Sequence, residues 1–146
     1  MFNLRFLFIP KQRRKELDDL ARLLAVAIYT DYKVKKDEVD EARHLIDEDD
    51  SLDGSEKEYV KKKIEELLQL YPNQNWKFLH DRDEVFDTII KTNNIKYAKY
   101  AIDIFEADHE ISQEESVIIE KIKLIIEAWD YIQKYYESLK KRNRPE

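Results

Sequence analysis

The 146-residue chain has no cysteine, one glycine, three prolines and three histidines. Without cysteine there is no disulfide framework, no thiolate zinc site and no cysteine nucleophile. So few turn-forming residues exclude an all-β sandwich or barrel, which needs many tight turns. The single glycine also excludes a Gly-rich phosphate loop. Three histidines leave little room for a histidine-rich metal site. No apolar run approaches the roughly 20 residues needed to span a bilayer.

What is present is charge and helical periodicity. There are 26 Lys+Arg against 32 Asp+Glu, a formal net charge of −6. An acidic balance argues against a duplex-DNA partner, which needs a basic face. The hydrophobic fraction of 42% is enough for one packed core. We therefore expect a single soluble, cytoplasmic domain with no nucleic-acid partner.

The N-terminus reads FNLRFLFI over residues 2–9, then Pro10 and KQRRK. Most of its charge follows the apolar stretch, the reverse of a secretory signal. One reading is a strand-like or helical flap over the bundle. The other is a partner-docking or membrane-surface segment over residues 2–15, with Lys11, Arg13, Arg14 and Lys15 near lipid head groups. We set residues 1–14 apart as this segment, 15–138 as the domain and 139–146 as a polar tail.

Six amphipathic helices follow from the spacing of apolar residues. The first covers about 12–30, with Leu17, Leu20, Ala21, Leu24 and Ile28 on one face. The second runs from about 36 to 48, with Val39, Ala42, Leu45 and Ile46 together. Ser55-x-x-Glu58 has capping-box spacing and opens a third helix that Pro72 ends. The fourth, about 75–91, uses Trp76, Leu79, Phe86, Ile89 and Ile90. The fifth runs to Ala107, with Ala98, Ala101, Ile102 and Phe105 inward. Ser112-x-x-Glu115 caps the last, whose stripe is Ile118, Ile122, Ile125, Ile126, Trp129 and Ile132. As one helix this would be about 43 Å long, so a break near Asp130 or a projecting end is expected.

Two stretches align without gaps, Ala25–Ile46 and Ile102–Lys123, 77 positions apart. Ile28 matches Phe105, Asp31 matches Asp108, Val34 matches Ile111 and Glu38 matches Glu115. In each, an apolar helix ends at an Asp. An apolar residue follows three positions later and is expected to plug the loop into the core. A Glu follows seven positions later, at the N-terminus of the next helix, where its charge is favourable. The second copy is Asp108-His109-Glu110-Ile111-Ser112-Gln113-Glu114-Glu115; the first is Asp31-Tyr32-Lys33-Val34-Lys35-Lys36-Asp37-Glu38.

These copies resemble the duplicated Asp-Gly-x-Ile-Ser-x-x-Glu helix–loop–helix of the TerB-like family of bacterial all-helical domains, over about residues 15–130. Both depart at the glycine, where Tyr32 and His109 stand; a tyrosine there would be strained at positive φ, so a different backbone is expected in the first loop. The resemblance implies an all-α bundle of six or seven helices. It also implies association with tellurite resistance or with the helical domain of membrane-anchored DnaJ-like co-chaperones, and paired acidic loops considered as metal-ligand sites. No His-Pro-Asp tripeptide occurs, so the chain has no J domain.

The candidate metal ligands are thus Asp31, Glu38, Asp108 and Glu115. If the copies pack about a pseudo-twofold axis these carboxylates converge, and convergence favours Ca²⁺ or Mg²⁺, which take oxygen ligands. The alternative is that each acid simply caps a helix end. Asp49 to Gly54 invites an EF-hand reading, but position twelve of such a loop would be Val60, so it is read as an acidic turn. A His-Asp metal-dependent phosphohydrolase would need His44, His80, Asp81 and Asp130 to converge. Tyr131, Lys134 and Tyr135 form the preferred protein-partner patch. The leading expectation is a non-enzymatic interaction or scaffold module with a protein partner, no catalytic residues and no small-molecule substrate.

Overall fold

The computed structural model describes residues 8–92, 95–107 and 110–142. The protein is all-α, as its periodicity predicts. Its helices are α1 (Lys11–Tyr29), α2 (Lys36–Asp47), α3 (Gly54–Leu70), α4 (Asn75–Thr92), α5 (Ile95–Glu106) and α6 (Gln113–Arg142). Each boundary lies within a residue or two of its expected position.

The central helix is α1, which packs against α3, α4 and α5; α2 closes onto α3 and α5, and α6 lies on α5. The sequence explains this placement. From Leu20 to Tyr29 every residue except Arg22 is buried, and a helix that is apolar nearly all round belongs in the middle of a bundle. Arg22 escapes the cost of partial burial by pairing with Asp19 and Glu84. Ile64, Leu67, Phe105 and Ile122 fill the space around α1.

An aromatic cluster closes one end. Tyr29, Tyr71 and Phe78 meet at centroid distances of 5.0 to 5.7 Å, and Tyr32 sits edge-on to Tyr29 and Phe78. Tyr32 has φ 64°. The first loop therefore keeps the left-handed backbone that glycine would favour, contrary to expectation, and the ring contacts offset its strain. Tyr32→Ala, which keeps the strain and loses the rings, is expected to unfold more readily than Tyr32→Gly by about 1 kcal/mol in urea titration.

Several expectations need correction. The third helix is capped by Asp53, not Ser55. Asp53 accepts from the Glu56 N–H while the Glu56 carboxylate accepts from the Asp53 N–H, so the capping box lies two residues earlier. Trp76 is exposed, because α4 turns Phe78, Asp81 and Val85 inward instead. The side chains of Phe86, Ile89 and Ile90 lie outside the described residues. Val34 and Ile111 do not plug their loops; each is half exposed. The reason is that the inner side of both loops is taken by carboxylates. Helix α1 begins at Lys11, inside the segment set apart at 1–14, and Ile9 is already in the core whereas Phe8 is exposed. Arg13 is not part of a basic surface face: it pairs with Glu16 and Glu56 and donates to the Ser51 carbonyl. The remainder of the apolar run, residues 1–7, lies outside the described residues. Among the described residues no helix is long and apolar enough to cross a membrane.

The turn after α2 is a structural joint. The Asp49 carboxylate is buried and accepts from the Ser51 N–H and hydroxyl, from Lys96 Nζ at 2.8 Å and from the Tyr100 hydroxyl at 2.9 Å. Burial alone would raise its pKa; the hydrogen bonds outweigh burial and hold it at about 2. Three donors converge on Oδ1 and one on Oδ2, so the carboxylate serves as an internal joint, in line with the acidic-turn reading. A depressed folded-state pKa stabilises the fold above the unfolded value near 4, and that contribution is lost as pH falls towards 2. Asp49→Asn is expected to cost about 1–2 kcal/mol at pH 7 and to flatten the acid limb of the stability curve below pH 4, read by urea denaturation.

Candidate metal centre

Three of the four candidate ligands come together. Asp31 follows the end of α1, Glu38 lies in the first turn of α2, and Glu115 lies in the first turn of α6. One oxygen from each lies within 4.8 Å of the others. Glu38 and Glu115 are fully buried, and Asp31 is the member that reaches solvent. Asp108 lies outside the described residues.

The duplicated motif produces this meeting. Each helix N-terminus carries unpaired backbone N–H groups and a partial positive charge, which suits a glutamate in the first turn. Each glutamate sits one turn into its helix and points back at the loop. Because the loops are adjacent, the two glutamates face each other, with Asp31 beside them.

The two copies are not equivalent. In the second, Ser112 and Glu115 form a reciprocal capping box: the Ser112 N–H donates to Glu115 Oε1 at 3.0 Å, and the Glu115 N–H donates to Ser112 Oγ at 3.1 Å. That leaves Glu115 Oε2 for the site. In the first, Lys35 stands where Ser112 stands, and its side chain provides no cap. Both Glu38 oxygens therefore have no hydrogen-bond donor among the described residues, as do Glu115 Oε2 and Asp31 Oδ1. Lys35 Nζ instead reaches Asp31 Oδ2 at 2.8 Å.

An orphaned buried carboxylate costs several kcal/mol unless it is neutralised. Two routes are open. Burial, then the neighbouring Glu115 and Asp31 charges and a side-chain hydrogen bond with Glu115, push the Glu38 carboxyl well above the usual carboxylate range, against the pull of Lys35; a proton is then retained between Glu38 and Glu115 at neutral pH. A cation is the other route. Three ionised carboxylates and one ammonium sum to a net charge of −2, the complement of a divalent ion. Ca²⁺ and Mg²⁺ both take oxygen ligands, and this set offers one oxygen from each of three carboxylates. A set made only of oxygen does not select zinc or copper.

The other constellation does not assemble. His80, Asp81 and Glu84 are neighbours on α4, but neither His44 nor Asp130 joins them among the described residues. Asp81 is engaged as a structural acceptor, taking the Tyr71 hydroxyl at 2.8 Å and Lys77 Nζ at 2.9 Å. His80 is exposed and pairs with Glu84.

The sequence marks Asp49 as the start of an acidic turn and Asp81 as a candidate phosphohydrolase ligand, not as structural acceptors, and it gives Lys35 no role. Lys35 had a signal, since it lies four residues after Asp31, a spacing that favours ion pairs. Lys77 and Asp81 share that spacing, whereas the Tyr71, Lys96 and Tyr100 donors come from farther along the chain and leave no local signal. No family model, curated protein or solved structure matches this chain.

Proposed function

We propose that the protein is a non-enzymatic helical interaction module whose paired loops are clamped by a divalent cation, Ca²⁺ or Mg²⁺. The carrying observation is the set of orphaned, buried carboxylate oxygens contributed by Asp31, Glu38 and Glu115. A cation there ties the end of α1 to the starts of α2 and α6. It thereby fixes α6, which otherwise rests chiefly on α5. The half-exposed Val34 and Ile111 flank these loops, so the loops present apolar side chains outward while holding charge inward. These exposed apolar side chains beside the site support a docking role for the loops. The TerB-like resemblance of the two loops supports the same reading and suggests a setting in tellurite resistance or envelope stress.

Calorimetric titration of the purified chain with CaCl₂ and MgCl₂ tests the proposal. One divalent cation per chain is expected, and no binding to the Glu38→Gln/Glu115→Gln variant. Heats that match only surface screening, or that survive in the variant, would overturn it.

A further inference from the structure

Helix α6 is 30 residues, about 45 Å, and longer than the bundle it leaves. It does not break near Asp130. Its apolar positions alternate by four and three. Ile118, Ile122 and Ile125 bury into the bundle or against it. The same spacing then continues through Trp129, Ile132, Tyr136 and Leu139, a sustained a/d heptad. From Glu127 to Lys141 only Trp129 and Leu139 are even partly buried; Ile132 is 39% and Tyr136 60% exposed. A free helix of about 15 residues is marginal in water, so a seam of this kind calls for a covering helix.

We propose that this segment pairs antiparallel with the same segment of a second copy of the chain. The residues themselves choose this occupant. A twofold axis at Lys134 sets Trp129 against Leu139 of the other copy and Ile132 against Tyr136, each layer matching a larger with a smaller side chain. The flanking positions on one side place Gln133 against itself and Ile126 against Lys140. On the other side Tyr135 meets itself. No like charges meet across the seam. Charge along the helix is also asymmetric. Glu127 and Asp130 lie nearer the bundle, and Lys140, Lys141 and Arg142 lie at the tip. Antiparallel pairing lays each basic tip over the other's acidic base, whereas parallel pairing would stack like on like. It also opposes the helix dipoles and keeps the two bundles at opposite ends, where they do not collide. The dimer stands apart from the cation site, which is built at the other end of α6.

Sedimentation equilibrium of the full chain tests this. A species of twice the 17.7 kDa chain mass is expected, and Ile132→Glu/Tyr136→Glu should raise its dissociation constant at least about 100-fold. Both side chains are exposed, so the variant's bundle should still melt cooperatively. Because the chain has no cysteine, single spin labels can be placed at Lys134→Cys and at Glu127→Cys. The two labels are level along the seam at 134 and offset by about 21 Å along it at 127, so a longer inter-label distance at 127 than at 134 fits antiparallel pairing. A monomer at all concentrations would overturn the proposal and leave the seam to a different protein. So would a dimer indifferent to the double substitution, or equal distances at the two labels.

Discussion

Glu38→Gln is expected to stabilise the cation-free protein by about 2 kcal/mol and to abolish cation binding. The two effects have opposite sign and a single cause. Glu38 is fully buried, faces Glu115 and Asp31, and has no hydrogen-bond donor to either oxygen among the described residues. Without cation at neutral pH the folded chain must take up a proton at Glu38 that the unfolded chain does not hold; the amide removes that cost and can donate to the free oxygen of Glu115. The same change removes a ligand and leaves the site at a net charge of −1, too little to draw a divalent ion from water. Urea denaturation in chelator and in calcium reads both effects. A variant that is less stable than the parent in chelator would show that the carboxylate has a fixed partner of its own, and the cation account would fail.

Calcium at about 100 times its dissociation constant is expected to add about 2.7 kcal/mol of stability. For a domain of this size that raises the melting temperature by about 8 °C. The shift should depend on pH, with a sign set by Glu38. Burial and the neighbouring Glu115 and Asp31 charges raise its folded-state pKa well above its unfolded value. Between those values the folded chain holds more protons than the unfolded one, so without cation its stability falls as pH rises through the window. Calcium competes for the same oxygens and replaces the proton. The calcium-induced shift should therefore be small at pH 5 and large at pH 8. The loss of the Asp49 contribution lies below pH 4 and does not overlap. A thermal shift independent of pH between 5 and 8 would place the bound ion elsewhere.

Much of this was legible in the sequence. Six helices follow from apolar spacing, because each buries one stripe. The 77-residue offset made Glu38 equivalent to Glu115 and Asp31 to Asp108, and raised their convergence as one of two readings; Asp31, Glu38 and Glu115 meet, and Asp108 lies outside the described residues. What the sequence did not carry was long-range pairing. Lys35 in place of Ser112 looks like a neutral loss of a cap, yet it changes which glutamate is orphaned. Val34 and Ile111 carry the pattern of loop plugs, but two buried carboxylates already fill the inner side. Tyr32 adopts positive φ because Tyr29 and Phe78, from two helices, hold its ring. Trp76 went wrong for a simpler reason: a tryptophan at the first turn of a helix lies where the bundle ends.

The most direct measurement is an anomalous difference map from crystals grown with Mn²⁺, which shares the oxygen preference of calcium and magnesium. The account predicts one strong peak bounded by Asp31, Glu38 and Glu115, and its absence in Glu38→Gln crystals. A map with no peak there, with the Glu38 and Glu115 carboxyls in direct hydrogen-bond contact, would contradict it and leave the pair as a shared-proton structural contact.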